Sequence, residues 1–178
     1  MFCFYAPINS IRSTQKNGGF TLVEALLSIA LLAVLLQGSS MLFLESIRTR
    51  AKLQSVAEVD SQGTQILHVI TEEIRNAESI VSPNSGASSS SLTIFANAQN
   101  TIFVPFGTTL VMAEGAHPFA ALNSSRVQIE SITFENRSRT GTPGTLHISL
   151  TLSHYNPENR AEFDVTKTFT ASASLRTP

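Results

Sequence analysis

Tryptophan is absent from the 178 residues, and phenylalanine supplies eleven aromatic side chains against two tyrosines. Cysteine is nearly absent as well. The one thiol is Cys3, so no disulfide closes within the chain and no zinc–thiolate site forms. Downstream of Gly19 there is no cysteine at all, which removes thiol catalysis from that part and leaves it to hold together by packing alone. Charge is sparse at 14% and almost cancels, and a formal net charge of −1 exerts no general pull on nucleic acid or anionic lipid. The motifs of common chemistries are missing too: no P-loop, dinucleotide fingerprint, nucleophile elbow or metal-ligand pair on one helix face. His117, His147 and His154 are scattered over loops and strands, and His68 has no second ligand at a useful spacing. The expectation is a chain with no catalytic residue, no metal site and no cofactor, and not an enzyme.

What the sequence does have is one long apolar run. From Phe20 to Leu36 the only charge is Glu24, and after Gln37-Gly38-Ser39-Ser40 the run resumes at Met41-Leu42-Phe43-Leu44. That is enough to cross a bilayer core of ~30 Å, for which about 20 residues suffice. It outlasts the apolar core of a secretory signal, and no A-x-A site closes it. Arg12 and Lys16 precede it without an acid, which places residues 1–19 in the cytoplasm and the C-terminal domain outside. Arg48, Arg50 and Lys52 oppose this mildly, but the first segment to insert decides. Glu24 is the anomaly. An isolated carboxylate in hydrocarbon costs about 3 kcal/mol on insertion scales, so this one needs a partner or a role.

The run Gly18-Gly19-Phe20-Thr21-Leu22-Val23-Glu24, behind a basic flank, resembles the leader junction and N-terminal helix of type IV prepilins, from Lys16 to about Leu44. The resemblance implies that prepilin peptidase cuts between Gly19 and Phe20 and methylates the new amine of Phe20. Gly19 has no side chain to obstruct a narrow protease cleft. Glu24 then gains its partner, the N-terminal amine of Phe20 in a neighbouring subunit. Such a pair sets register in a low-dielectric medium, where either charge alone is penalised. An uncleaved signal anchor shares the basic flank and the apolar run but gives no reason for Gly19 or Glu24. Gly38 beside Ser39 and Ser40 reads as a flexible point of the helix. Many relatives carry a proline near this depth, where this chain has Met41.

Beyond Leu44 the pattern becomes amphipathic. Leu53, Val56, Gly63, Ile66, Leu67, Ile70, Ile74, Ala77 and Val81 recur at three- and four-residue spacing, and Val81-Ser82-Pro83-Asn84 stops the helix. Four segments result: leader 1–19, membrane or filament-core helix 20–44, amphipathic continuation 45–81, and an antiparallel β-sheet domain 82–178. Residues 82–91 read as a turn-rich linker. Strand alternation follows at Leu92 and Ile94, at Ile102 and Val104, and at Leu110 and Met112. Leu146 to Leu152 alternates strictly, Phe163, Val165 and Phe169 mark another strand, and a phase change near Glu130-Ser131 indicates a bulge. Residues 126–172 form a three-stranded meander that covers the helix, so the fold class is α+β and pilin-like.

The helix end Glu72 to Ile80, the turn after it, Leu92-Thr93-Ile94 and the closing Phe169 to Arg176 resemble J-type minor pseudopilins of type II secretion and W-type minor pilins. Glu24 speaks against the K-type tip pseudopilin. This likeness implies a minor subunit that initiates or caps a filament. Its partners would be prepilin peptidase, other minor and major pilins or pseudopilins, an inner-membrane platform protein and the lipid bilayer. Two alternatives stay open. One is a tip-located binding module for DNA uptake or adhesion, with Arg126, Arg137, Arg139, Arg160 and Lys167 gathered on one edge. Against it, acids interleave these cations and no aromatics accompany them for base stacking. The other is a signal-anchored extracytoplasmic protein with no filament role.

Overall fold

The computed structural model describes residue 19 and residues 21–139, 141 and 143–176. Among the described residues one helix, α1 (Leu22–Asn76), is followed by nine strands. They are β1 (Ser79–Ser82), β2 (Ser88–Ser89), β3 (Leu92–Ala96), β4 (Gln99–Phe106), β5 (Thr109–Glu114), β6 (Ala120–Ala121), β7 (Val127–Asn136), β8 (Thr145–His154) and β9 (Thr166–Ser174). The chain divides into two compact units, the first ending at Leu44 and the second beginning at Glu45.

In the first unit the helix is apolar on every side, and its most apolar 18-residue window has mean hydropathy 2.1 with no residue buried. By length and composition it is able to cross a membrane. The hydroxyls within it are internally satisfied: Ser28, Ser39 and Ser40 each donate to the carbonyl four residues back at 2.8 Å. Such back-bonding lets a serine sit in an apolar helix without an orphan donor.

In the second unit the helix buries Ser55, Val59, Gly63, Ile66, Ile70 and Ile74, a stripe at three- and four-residue spacing. This stripe differs at both ends from the one the sequence suggests. Leu53 is 64% exposed and lies off it, and its first members are Ser55 and Val59. The helix also ends at Asn76 rather than continuing to 81. The Glu78 N–H donates to the Phe95 carbonyl at 2.8 Å, and Ile80 pairs with Ile94. Strand pairing therefore captures residues whose spacing also suits a helix, and it leaves Val81 half exposed beside a bulge.

The strands form two antiparallel sheets rather than one. The five-stranded sheet has the order β1-β3-β4-β5-β6, and the four-stranded sheet has the order β2-β7-β8-β9. The meander β7-β8-β9 is present, with its bulge between Ile129 and Ser131. Leu146, Ile148, Leu150 and Leu152 of β8 all face the core. The serine-rich linker is not all loop, because Ser88 and Ser89 pair with Glu135 and Phe134. Phe163 and Val165 precede β9, which starts at Thr166. In β4 the phase is inverted: Thr101 and Phe103 are buried, whereas Ile102 turns outward. Apolar residues stand on both sides of that strand, so alternation alone cannot assign its inner face.

One core joins the stripe to both sheets, with Ile66, Ile70 and Ile74 among Leu92, Ile94, Phe103, Phe134 and the β8 leucines. Each fully buried aliphatic side chain contributes roughly 1.5–3 kcal/mol relative to exposure. Gly63 permits a close approach of helix and sheet. A Cβ there would stand 2.5 Å from the Phe169 ring of β9, nearer than any side chain allows. Asn136 ties the linker down, since its buried amide donates to the Pro83 carbonyl at 2.7 Å.

Candidate functional site at the start of the long helix

Thr21 opens the helix as its N-cap. The Glu24 N–H reaches the Thr21 hydroxyl at 3.3 Å, and the Ala25 N–H bonds the Thr21 carbonyl at 3.1 Å. A threonine whose hydroxyl accepts from an amide three residues on satisfies one of the four donors that every helix start leaves unpaired. The Thr-x-x-Glu spacing carries this signal in the sequence, beside the pairing role expected of Glu24.

Glu24 stands in the first turn of α1, where the helix dipole favours an acid. It is exposed, and its carboxylate has no partner among the described residues. Leu22, Val23, Leu26 and Leu27 around it are all more than half exposed. The arrangement is therefore a lone acceptor on an apolar, uncovered helix end, open to a cation supplied from outside. Gly19 lies just before the helix and is exposed, with no atom within 4 Å of where a Cβ would be. Phe20, the proposed cleavage and methylation residue, lies outside the described residues, as do Arg12 and Lys16 of the leader. Gly38 sits in unbroken helix with open space around it.

Several cations of the second unit pair with acids. Arg126 meets Glu58 at 3.7 Å, Arg137 meets Glu135 at 2.7 Å, Lys167 meets Asp60 at 2.5 Å, and Arg160 pairs with Glu162. The Arg137 hydrogen bond, together with that residue's charge, holds the Glu135 carboxyl below its ordinary range. Four of the five candidate DNA contacts are thus paired with acids. His147 is on the outer side of β8 as expected, where its Nδ1 lies 3.0 Å from the Ser172 hydroxyl.

A cleft of about 320 Å³ in this unit is lined by Glu58, Arg126, His154, Tyr155 and Phe163, among others. His154 stacks on Phe163 at 5.4 Å between ring centres, and Arg160 lies over the same ring. Glu58 is shared between Arg126 and His154, at 3.7 and 3.9 Å. Among the described residues, no three His, Cys, Asp or Glu side chains are placed to hold a metal ion.

Residues 14–36 match the family model described as the prokaryotic N-terminal methylation motif. The match includes Gly19, Phe20, Thr21 and Glu24 together with the opening turns of α1, and it indicates a type IV prepilin-like chain. No curated protein and no solved structure matches the sequence.

Proposed function

We propose that this prepilin-like chain is a minor pilin or minor pseudopilin, a structural subunit that initiates or caps a type IV pilus or a type II secretion pseudopilus. Residues 1–19 are its cytoplasmic leader, removed between Gly19 and Phe20 with methylation of the Phe20 amine. Residues 20–44 hold it in the cytoplasmic membrane and then in the filament core, with the domain from residue 45 onward outside the cell membrane. Glu24 receives the Phe20 amine of a neighbouring subunit, and Gly38 is the point where the helix gives on assembly. Prepilin peptidase, companion pilins and the membrane platform protein are its partners.

The observation that carries this reading is the Glu24 carboxylate, unpartnered on an exposed apolar helix end within the methylation motif. Burying that end in lipid or protein leaves the charge uncompensated unless a neighbour brings a cation. The freshly cut amine is the cation that processing itself creates. The minor role rests on the helix end, on β3 and on the closing segment, whose residues resemble J- and W-type subunits.

Mass spectrometry of the N-terminal peptide tests the reading. A peptide beginning at methyl-Phe20, recovered from sheared fibres at low ratio to a major subunit, is the expected outcome for a pilus. The same peptide confined to membranes assigns a short pseudopilus. An intact Met1 leader overturns the proposal.

A further inference from the structure

The inner face of the five-stranded sheet changes character at one end. Residues paired directly across strands share a face, as do residues two apart on one strand. Leu92, Ile94 and Phe103 are fully buried on that face, and the register continues it with Gln99 opposite Ala96 and with Thr101 opposite Glu114. Glu73, in the last turn of α1, and Asn97, in the turn between β3 and β4, line a cavity of about 200 Å³ together with these three polar residues. Gly115 lets the Gln99 side chain lie against the turn that follows Glu114, since a Cβ there would fall on its amide oxygen. Among the described residues none of the five polar side chains makes a hydrogen bond or an ion pair, and no Lys or Arg lines the cavity. Thr101 is the clearest case. It is 4% exposed, yet its hydroxyl is unpartnered and keeps access to the cavity it lines. An unpaired buried hydroxyl costs stability, and valine would fill the same volume without that cost. Burial and the charge of Glu114 also act against the Glu73 carboxylate.

We propose that this cavity is a binding site for a hard divalent cation, calcium in preference to magnesium. The donors select the ion. The carboxylates of Glu73 and Glu114 match a doubly charged cation, and the Gln99 and Asn97 amides with the Thr101 hydroxyl add neutral oxygens. All-oxygen sets of this kind suit hard cations. His117 lines the same space but does not join the two carboxylates as a third ligand, so the site lacks the nitrogen and sulfur donors that zinc prefers. Calcium accepts about six to eight oxygens in adaptable geometry, with water completing the shell. Magnesium demands a near-ideal octahedron, which long Glu and Gln side chains from separate elements do not impose. An ion held here would tie the last turn of α1 to β4 and β5 and give the Thr101 hydroxyl a partner. All of these residues belong to the second unit, so the site stands apart from leader cleavage and filament assembly.

The test is calorimetric titration of the full chain, held in a neutral detergent and stripped with EDTA, with calcium chloride at fixed ionic strength. The expected result is a single ion per chain with Kd on the order of 10⁻⁴–10⁻³ M, the range of extracellular calcium modules. Magnesium should bind about tenfold more weakly or less. Glu73→Gln and Glu114→Gln should each weaken calcium by about tenfold or more, since affinity follows the charge count of the ligands. Glu72→Gln, one residue along the helix and outside the cavity lining, should leave it unchanged. If a glutamine variant loses its circular dichroism, Thr101→Val carries the test, with an expected severalfold loss of affinity. The proposal is overturned by no calcium uptake, which leaves a water-filled pocket, or by magnesium binding as tightly as calcium. It is equally overturned by uptake that survives the cavity variants, which places the ion elsewhere. An equal loss in Glu72→Gln overturns it too, by marking diffuse attraction to an acidic helix end.

Discussion

Leu31, Leu35 and Leu36 of α1 are 58%, 65% and 66% exposed, whereas Ile66, Ile70 and Ile74 on the same helix are wholly buried. Both stretches are rich in aliphatic side chains, and what separates them is arrangement. In the first, apolar residues occupy every side of the helix. In the second they form one stripe with charged residues opposite. A stripe is satisfied by a sheet of its own chain, but an apolar cylinder needs lipid or other helices around it. The first stretch is therefore where this molecule meets its surroundings, and its single acid marks the place. The largest expected effect follows directly. Replacing Gly19 with phenylalanine should abolish maturation, since a side chain there obstructs the scissile bond. An immunoblot would show the full-length precursor alone, and a mature-sized band would refute the role given to Gly19.

Glu24→Ala should leave that cleavage intact and still reduce the chain's incorporation into fibres or pseudopili severalfold. The variant removes an acceptor without disturbing the Thr21 cap, whose hydroxyl bonds a backbone N–H. Quantifying mature subunit in membranes and in fibres at native expression separates the two steps. Equal incorporation of variant and wild type would remove the pairing role of Glu24.

The stripe of the second stretch should respond to truncation where the first stretch does not. Ile70→Ala opens a cavity in the shared core and should cost about 2–5 kcal/mol, readable as a lower thermal midpoint of the folded domain. Leu32→Ala, at a position 57% exposed, should leave that midpoint within experimental error. Equal losses would mean that the first stretch is also packed against its own chain.

Much of this contrast was legible in the sequence, because the periodicity of a long helix is repeated over many turns. The bulge in β7 and the inner face of β8 were legible for the same reason, since period-two alternation there runs unbroken on either side of one phase change. The methylation motif was legible because it is local: Gly19, Phe20 and Glu24 carry it within six residues. What escaped depends on partners distant in sequence. Residues 77–81 suit a helix by spacing, yet Phe95 and Ile94 draw them into a strand. Ser88 and Ser89 look like linker until Glu135 and Phe134 pair with them. β4 is apolar on both sides, so only its neighbours reveal which side faces the core. The cleft around Glu58 escaped too, because Arg126 and His154 reach it from other elements.

Two glycines sharpen the comparison at smaller cost. Gly38→Ala meets nothing within 4 Å and should strengthen the helix by about 1 kcal/mol, visible as slower backbone amide exchange around residue 38. Gly63→Ala places a methyl against the Phe169 ring and should destabilise the domain by about 1–3 kcal/mol, since the ring must move. The same substitution thus changes sign between the two stretches. A loss at both positions would mean that Gly38, too, is packed against a neighbour.

The smallest effect contrasts two glutamates of one helix. Glu24 stands exposed and unpartnered among the described residues of an apolar end, whereas Glu73 lies half-buried on the second stretch. Burial first, then the charges of Glu114 and Glu72, raise the Glu73 carboxyl above its ordinary range. The folded chain therefore holds that proton more tightly than the unfolded chain does. The contribution to stability is full in acid, below the ordinary glutamate range, and is lost as pH rises through the raised value. Glu135 and Glu162 are lowered and push the other way, so the readable quantity is the difference between wild type and Glu73→Gln. That variant should be slightly more stable than wild type at neutral pH, and the advantage should vanish toward pH 4 as Glu73 itself becomes neutral. Thermal melts across this range check the sign. An advantage that grew on acidification would mean that Glu73 is stabilised as a carboxylate.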